Sequence, residues 1–361
     1  MKNVLVTGGA GFIGSNFIDY FLKAEPECRV INLDALTYSG NPQNLAHFAD
    51  REAYVFVLGN ICDSELVKSL LYRYEVDTVV HFAAETHVDR SIKKPDEFMK
   101  TNVMGTFTLL EAGRCIWLEE KASTSGDFRF HHISTDEVFG SLGSDDPPFS
   151  ESTPYNPSSP YAASKASSDH LVRAYYHTYG LPVVITNCSN NYGPYQYPEK
   201  LIPLVINRAI NGAQLPVYGD GKNIRDWLYV EDHCEAIWRV LKKGRIGETY
   251  LVGGDTQPTN LEVVEKICEL LDKRFPSSKN APHRRLIEFV PDRPGHDFRY
   301  AMDIGKIKQE LGWLPKHSFE LGLEKTVDWY LSNPEWVKEI QQKQGYKEWM
   351  STNYADRGEN I

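Results

Sequence analysis

A cluster of glycines near the start of the chain constrains the fold more than any other feature of the sequence. A short β-rich run at residues 3–7 is followed at once by four glycines between residues 8 and 14, and residues 15–23 then have helical periodicity. Glycines at this spacing let a ligand's phosphates approach the backbone at the positive end of a helix. The order of strand, glycine turn and helix therefore predicts a βαβ unit that binds a dinucleotide.

The second predicted strand identifies the kind of dinucleotide. Residues 29–33 form this strand, and Asp34 follows it, about 20 residues after Gly14. An acid at that distance can accept a hydrogen bond from the ribose 2′-hydroxyl, and its charge would repel a 2′-phosphate. Since no arginine follows closely, the sequence predicts NAD rather than NADP.

Strand-like and helical segments continue to alternate through the first half of the chain. The strands are predicted at 54–58, 78–82, 128–133 and 182–187, and the helices at 64–72, 97–118 and 161–179. This alternation predicts an α/β fold with a doubly wound parallel sheet of the Rossmann type. The pattern becomes looser after about residue 188. We therefore predict an NAD-binding domain at residues 1–188 that also includes two later segments, about 224–250 and 303–330. A smaller C-terminal α/β substrate domain is predicted to occupy most of 189–361.

Charge and cysteine usage exclude several classes of partner. The net charge of −10 disfavours binding to nucleic acid or to an anionic membrane, and no apolar run approaches membrane-spanning length. The six cysteines have no metal-ligand spacing, so we expect reduced thiols and a cytoplasmic protein. His87, His131 and His132 form no recognisable metal motif, and we interpret them as structural. No metal is predicted.

Two short motifs carry the candidate chemistry. Ser134 and Thr135 end a predicted strand and are followed by two adjacent carboxylates, Asp136 and Glu137, which alone would be typical of a polar turn. The second motif places Tyr161 four residues before Lys165, so on a helix both side chains share one face. A nearby ammonium favours phenolate and is expected to lower the pKa of Tyr161 from about 10, which would make it a general base.

These motifs together resemble a known family. The glycine turn, Ser134–Thr135 and the Tyr161/Lys165 pair are similar to the extended short-chain dehydrogenase/reductases that act on nucleotide sugars. Within that group, residues 84–91, 135–140, 190–194 and 292–296 resemble the family of dTDP-glucose 4,6-dehydratases, and the resemblance covers nearly the whole chain. The adjacent Asp and Glu are its most diagnostic part, because related epimerases share Tyr and Lys but are not expected to carry both acids.

The resemblance implies a lyase reaction and a role for each catalytic residue. Tyr161 takes the proton of the sugar 4-hydroxyl, aligned by Thr135, while hydride passes from carbon 4 to NAD. Glu137 then removes the proton at carbon 5, Asp136 protonates the departing 6-hydroxyl, and hydride returns to carbon 6. The product is dTDP-4-keto-6-deoxyglucose, which serves the biosynthesis of deoxysugars such as rhamnose. NAD is regenerated in each turnover and is expected to stay tightly bound.

The resemblance also implies two sets of binding residues. The set that matches NAD contacts comprises Gly8, Gly11, Phe12, Ile13, Gly14, Asp34, Ala35, Leu36, Thr37, Asn60, Ile61, Ala83, Ala84, Thr101, Tyr161, Lys165 and Asn191. The set that matches substrate contacts comprises Thr86, Thr135, Asn190, Lys200, Arg225, Asn260, Arg293, His296 and Tyr354. The two arginines suit a diphosphate, because a guanidinium can pair with two oxygens at once.

The sequence departs from the family at three positions and leaves alternatives open. Asn60 stands where the family usually has Asp, Thr86 where it has Ser, and Phe139 where it often has Tyr; none of these side chains takes part in the reaction. A nucleotide-sugar 4-epimerase or a non-catalytic NAD-binding regulator remains an alternative function. The resemblance further implies a homodimer whose helices at 97–118 and 160–179 pack against their mates.

Overall fold

The computed structural model describes residues 1–120, 127–292 and 295–355, and of residues 353–355 it describes the main chain alone. Its strands are β1 Asn3–Thr7, β2 Arg29–Asp34, β3 Tyr54–Leu58, β4 Thr78–His81, β5 Arg129–Thr135, β6 Val183–Cys188, β7 Asn190–Tyr192, β8 Leu215–Tyr218, β9 Trp227–Tyr229, β10 Thr249–Val252 and β11 Ile287–Val290. Seven of them form one sheet in the order β3-β2-β1-β4-β5-β6-β10, and every neighbouring pair is parallel. The strand order reverses between β1 and β4, so the predicted doubly wound sheet is confirmed.

The helices connect the strands and cover the sheet. Their bounds are α1 Phe12–Ala24, α2 Ser64–Arg73, α3 Val88–Lys93, α4 Pro95–Phe98, α5 Thr106–Gly113, α6 Pro160–Tyr179, α7 Leu201–Ile210, α8 Val230–Lys243, α9 Asn260–Arg274, α10 Gly305–Leu311, α11 Phe319–Ser332, α12 Pro334–Gln342 and α13 Gln344–Ala355. Local sequence explains several of the ends. Ser159 caps α6 by accepting the Ala162 N–H, Pro160 occupies its first turn, and Gly180 ends it in the left-handed conformation with φ of 72°.

The helix predicted at residues 97–118 is not a single regular helix. α4 runs into a π-helical turn, Met99–Gly105, which is followed by α5 and by a second π-helical segment, Arg114–Glu120. A π-helical turn inserts an extra residue per turn and frequently marks a functional position. Here the first of these turns carries Thr101 into the cleft described below.

Both faces of the large sheet are covered by apolar side chains. One buried cluster includes Val67 of α2, Leu110 of α5, Trp117 of the second π-helical segment and Val172 of α6. The opposite face is covered by α1 and α8, whose buried side chains pack on Val4, Val6 and Val30. Because both faces of the sheet are covered, side chains on either side of a central strand are buried. This explains why the sequences of these strands are continuous apolar runs.

A second core lies in the C-terminal half of the chain. α7, α9 and α11 pack around β8 and β9 with fully buried Ile206, Val264, Ile267 and Leu323. β8 pairs with β11, and β7 pairs with β9, in two small parallel sheets. α10 instead packs near β10 through Ile307. The smaller C-terminal α/β unit predicted from the sequence is therefore present.

Candidate active site

A deep cleft lies at the carboxyl ends of the parallel strands, where the strand order reverses. Its volume is about 1660 Å³ including its open mouth. The residues that follow β1, β2, β4, β5 and β6 all contribute to its lining, as do α6 and the segment 188–200. Ligands of doubly wound sheets bind at this position, because the loops from both halves of the sheet diverge there.

The glycine turn forms one wall of the cleft and requires glycine at two positions. Gly8 has a left-handed φ of 73°, and a Cβ on it would lie 2.6 Å from the main-chain nitrogen of Ala83. A Cβ on Gly14 would lie 2.4 Å from the main-chain oxygen of Gly8. By contrast, a Cβ on Gly11 would meet no atom closer than 3.3 Å, so this glycine borders the open cradle before α1. The cradle and the helix N-terminus fit the pyrophosphate of a dinucleotide.

The carboxylate of Asp34 is fixed at the end of β2 by the turn that follows the strand. Its Oδ2 accepts the Ala10 N–H at 2.9 Å, and its Oδ1 accepts the Leu36 N–H at 2.8 Å. Burial raises the pKa of Asp34, although these two hydrogen bonds oppose the shift. The carboxylate is thus held in place at the wall of the cleft, and its role as an acceptor for a ribose hydroxyl stays a prediction.

Most of the predicted NAD-binding residues lie in this cleft. The residues of that set that line it are Gly8, Gly11, Phe12, Ile13, Gly14, Asp34, Ala35, Thr37, Asn60, Ile61, Ala83, Ala84, Thr101, Tyr161, Lys165 and Asn191. Leu36 is placed differently, because it has a left-handed φ of 50° and does not line the described cleft. Its main chain still contributes through the N–H that orients Asp34.

The two catalytic motifs meet in the same cleft. Thr135 ends β5, and its hydroxyl accepts the Glu137 N–H at 3.2 Å and lies 3.1 Å from Asp136 Oδ1, so the acidic pair forms a short 3₁₀ turn directly after the strand. From the opposite side, α6 brings in Tyr161 and Lys165. Both are buried, and the Lys165 Nζ donates to the main-chain oxygen of Ile133 at 2.8 Å.

The adjacent carboxyls of the acidic turn have different surroundings. Asp136 is 2% exposed, whereas Glu137 is only partly buried. Burial, together with the nearby carboxylates of Glu137 and Asp226, raises the pKa of Asp136 well above its usual range. A raised pKa favours the protonated form of Asp136, which suits this group to donate a proton.

The pKa of Tyr161 differs in direction from the sequence-based expectation. Burial and the Glu137 carboxylate raise it well above 10, and the contact with the Thr135 hydroxyl opposes the shift. The expectation that Lys165 would lower it is therefore wrong for the protein alone. The physical reason is that burial penalises the phenolate, while the Lys165 ammonium donates to the Ile133 carbonyl.

The predicted substrate residues fall into two groups. Thr86, Thr135, Asn190 and Lys200 line the cleft. Arg225, Asn260 and His296 lie beyond the lining, on the adjoining segments 223–226, 258–260 and 296–300, which are bridged through Ile224. Arg293 and the side chain of Tyr354 lie outside the described residues.

Arg225 is buried in contacts within the protein. Its guanidinium donates to the main-chain oxygens of Ile224 at 2.7 Å and Asp297 at 2.9 Å, and it lies over the Tyr300 ring, 4.4 Å from the ring centre. It is nevertheless close enough to Asp136 to oppose the rise in that group's pKa. Arg225 therefore acts on the acidic turn through its positive charge, although its side chain does not line the cleft.

Several lining residues escaped the sequence-based prediction. They include Tyr38, Glu85, Cys188, Ser189, Tyr195, Gln196 and Tyr197. Cys188 and Ser189 could have been found, because they follow the predicted strand 182–187 and the carboxyl ends of parallel strands meet at one edge. In the described part of the chain, no group of three or more His, Cys, Asp or Glu side chains could hold a metal ion. Among the same residues, no helix combines the length and the apolar content needed to cross a membrane.

Comparison with known proteins identifies close relatives. Residues 5–326 match the family model described as GDP-mannose 4,6 dehydratase. The chain is 57% identical over 341 residues to a dTDP-glucose 4,6-dehydratase of Xanthomonas campestris, which covers 94% of this chain and 96% of that protein. The crystal structure of a dTDP-glucose 4,6-dehydratase from Bacillus anthracis in complex with NAD has a TM-score of 0.83 and 49% identity, covering 94% of this chain and 100% of that one. A third, from Streptomyces venezuelae with NAD and DAU bound, has a TM-score of 0.84 and 46% identity, covering 93% and 99%.

Proposed function

The chain belongs to the dTDP-glucose 4,6-dehydratase family, and from this premise we propose that it converts dTDP-glucose to dTDP-4-keto-6-deoxyglucose with NAD as cofactor. It is an NAD-dependent hydro-lyase of deoxysugar synthesis. One observation supports the reaction type above all others. The acidic turn of Asp136 and Glu137 lies in the same cleft as Tyr161 and Lys165. Oxidation of an alcohol needs the second pair alone, whereas loss of water needs an acid and a base in addition.

The oxidation step uses the residues on α6 and the end of β5. Tyr161 accepts the proton of the sugar 4-hydroxyl, and the Thr135 hydroxyl orients that group. The residues around the glycine turn and Asp34 would hold NAD, which would supply the acceptor for the hydride of carbon 4 and the donor of the hydride for carbon 6. Burial disfavours the phenolate in the protein alone. We propose that the Lys165 ammonium, on the same face of α6, stabilises the phenolate when NAD and substrate are bound.

The elimination step uses the two carboxyls in opposite protonation states. The new ketone at carbon 4 acidifies the proton on carbon 5, which Glu137 removes as the base. Asp136 donates its proton to the 6-hydroxyl, the bond from carbon 6 to oxygen breaks, and water leaves. When hydride reaches carbon 6, Glu137 returns its proton to carbon 5. One proton passing from Tyr161 to Asp136, directly or through water, then restores the starting state.

The binding residues are proposed from their positions in the cleft. The NAD set lies around the glycine turn and Asp34, and the sugar nucleotide extends toward Thr86, Asn190 and Lys200. We propose that the diphosphate and nucleotide end of the substrate is bound by Arg225, Asn260, Arg293, His296 and Tyr354. Their segments lie in the C-terminal half, which we propose as the substrate domain. Of the stretch 303–330 that the sequence assigned to the NAD-binding domain, α10 packs with α8 and β10 of the sheet domain, whereas α11 packs in the second core, so we propose α11 as part of the substrate domain instead.

We also propose a homodimer located in the cytoplasm. Met99, Met104 and Phe107 are large apolar side chains that are 39–52% exposed along one stretch of helix, within the segment that the family resemblance assigns to the subunit contact. A cytoplasmic location agrees with the six cysteines, which are all free thiols, four of them buried.

Incubation of the purified protein with dTDP-glucose tests the function. The expected product is the 4-keto-6-deoxy sugar, which is detected by its absorbance after addition of base. The other candidate is a nucleotide-sugar 4-epimerase, favoured by the Tyr161/Lys165 pair alone. Formation of dTDP-galactose without a keto product would establish that activity and overturn the dehydratase.

A further inference from the structure

A buried carboxylate continues the Tyr161/Lys165 face of α6 by one more turn. Asp169 is one helical turn after Lys165 and is fully buried. Its Oδ2 accepts three hydrogen bonds, from Ser134 Oγ at 2.9 Å, Tyr155 Oη at 2.7 Å and Asn187 Nδ2 at 3.1 Å. Three donors on one buried oxygen are the surroundings of an ionised group.

The other oxygen of Asp169 faces a histidine that the sequence had suggested to be structural. His132 Nε2 lies 3.1 Å from Asp169 Oδ1, and neither side chain is exposed. Burial and the nearby Lys165 charge lower the pKa of His132 to about 4. Burial opposes ionisation of Asp169, but the interaction with His132, the charge of Lys165 and the hydrogen bond from Tyr155 outweigh it and lower the pKa of Asp169 to about 2. At neutral pH the pair is thus an anion beside a neutral imidazole, and His132 does not cancel the charge.

The Lys165 ammonium needs such an anion. It is 4% exposed, and its Nζ donates to one main-chain oxygen, that of Ile133. Burial lowers the pKa of Lys165, and the charge of Asp169 opposes this shift. A buried ammonium whose opposing charge is removed tends to lose its proton.

Asp169 also reaches the strand that carries the reacting groups. Asn187 Nδ2, which donates to Asp169, donates at the same time to the main-chain oxygen of Thr135 at 3.0 Å. Ser134, another donor to Asp169, directly precedes Thr135 in β5. The carboxylate therefore connects the α6 face to the end of β5 through two independent hydrogen-bonded paths.

We propose that Asp169 is a positioning residue of the dehydratase, whose fixed negative charge keeps Lys165 protonated and whose hydrogen bonds hold the end of β5 against the reacting groups. This inference rests on the proposed function. The role is electrostatic and geometric, since the carboxylate is enclosed by protein side chains. We therefore expect its loss to lower kcat much more than it raises KM.

The other titratable groups around Lys165 and Asp169 carry no net negative charge that could replace Asp169. They are Tyr161 and Arg173 on α6, His132 on β5, His81 on β4, Cys188 on β6 and Asp136 in the acidic turn. Burial lowers the pKa of His81 well below its usual value and raises that of Cys188 to about 12, so both are neutral. The raised pKa of Asp136 favours its neutral form. Arg173, which donates to the Tyr155 hydroxyl at 2.7 Å, is a second cation near the carboxylate.

The test compares Asp169→Asn with Tyr155→Phe in the holoenzyme. Asp169→Asn keeps the shape of the side chain and removes the charge. The alkaline limb of the kcat profile should move to lower pH by about one unit or more, because Lys165 then loses its proton more easily. KM should stay within about twofold. Tyr155→Phe removes one hydrogen bond to the same oxygen and keeps the charge, so its alkaline limb should stay where it is in the unchanged enzyme.

A third variant keeps the test decisive if Asp169→Asn does not fold. Asp169→Ser removes the charge in a smaller side chain, so its alkaline limb should also move to lower pH. Thermal unfolding of each variant establishes that it is folded. An unmoved limb in whichever of Asp169→Asn and Asp169→Ser folds, or an equal downward shift in Tyr155→Phe, would overturn the inference. An unchanged enzyme that fails to convert dTDP-glucose would instead overturn the proposed function, so the two failures are distinguishable.

Discussion

Asn102 Nδ2 donates to Ser164 Oγ at 2.8 Å, and this bond fastens the π-helical turn 99–105 to α6 between Tyr161 and Lys165. The same amide binds both main-chain groups of Glu85: its Oδ1 accepts the Glu85 N–H at 2.8 Å, and its Nδ2 donates to the Glu85 oxygen at 3.0 Å. Asn102 is 1% exposed. One buried side chain thus joins the loop after β4, the π-helical turn and the catalytic helix.

Asn102→Ala should destabilise the protein and lower its activity together. Removal of the amide leaves the N–H and C=O of Glu85 without these partners in a partly buried loop, at a cost of about 1–3 kcal/mol for each group that becomes buried and unsatisfied. Urea unfolding and steady-state kinetics measure the two effects. Asn211→Ala is the matched control, because its Nδ2 donates within α7 at the surface and should change the free energy of unfolding by less than about 0.5 kcal/mol. Equal stability of the two variants would contradict the role of Asn102.

The π-helical turn that carries Asn102 could not be predicted from the sequence. The spacing of apolar residues at 97–118 predicted a continuous helix, because a π-helical turn has nearly the same local pattern. The π-helical turn instead places Asn102 against Glu85 and Ser164, and no local rule contains these tertiary contacts. The sheet was predictable, since each of its strands is a buried apolar run followed by turn residues.

For the candidate site, spacing alone indicated the glycine turn, Asp34 and the Tyr161/Lys165 face of α6. The other binding residues were assigned through the family resemblance. Asp169 could not be assigned in either way, although it continues the same face of α6 by one more turn, because its importance depends on Asn187 and Ser134 converging on it from two strands. The pKa of Tyr161 could not be predicted from the motif either, because its shift comes mainly from burial and not from Lys165.

Tyr161→Phe and Glu137→Gln should stop the reaction at different steps. In a single turnover with dTDP-glucose, Tyr161→Phe should form no measurable NADH, because the proton of the 4-hydroxyl has no acceptor. Glu137→Gln should still form NADH and then accumulate it, because the proton on carbon 5 is not removed. Absorbance at the NADH wavelength follows both variants. Equal loss of NADH formation in the two would contradict the assigned roles.

Asp136→Asn should stabilise the protein at neutral and alkaline pH while abolishing elimination. The pKa of Asp136 is raised in the folded state, so the unfolded chain loses its proton first as the pH rises. Ionisation of Asp136 in the unfolded chain then lowers the free energy of unfolding of the wild type. The loss is up to about 1.4 kcal/mol for each pH unit between the unfolded and the folded pKa. Below about pH 4, where both states are protonated, this penalty is absent.

The difference in melting temperature between Asp136→Asn and the wild type should therefore grow from below pH 4 toward pH 8. Asp220→Asn is the contrasting control. The Lys222 ammonium lowers the pKa of this exposed carboxyl. Any small contribution of Asp220 to the stability of the fold is therefore present when the group is ionised and is lost as the pH falls. A constant difference across the pH range for Asp136→Asn would show that its folded pKa is not raised.

Met104→Glu should convert the proposed dimer to monomers. Met104 is 52% exposed on the turn that leads into α5, with Met99 and Phe107 exposed beside it. Apolar side chains grouped at a surface are favourable to bury against a second copy, whereas a carboxylate placed there would have to be desolvated. Leu321→Glu is the control, because Leu321 is 45% exposed on α11 in the other half of the chain and should leave the assembly intact. Light scattering measures the mass of each protein, and a monomeric wild type would refute the dimer outright.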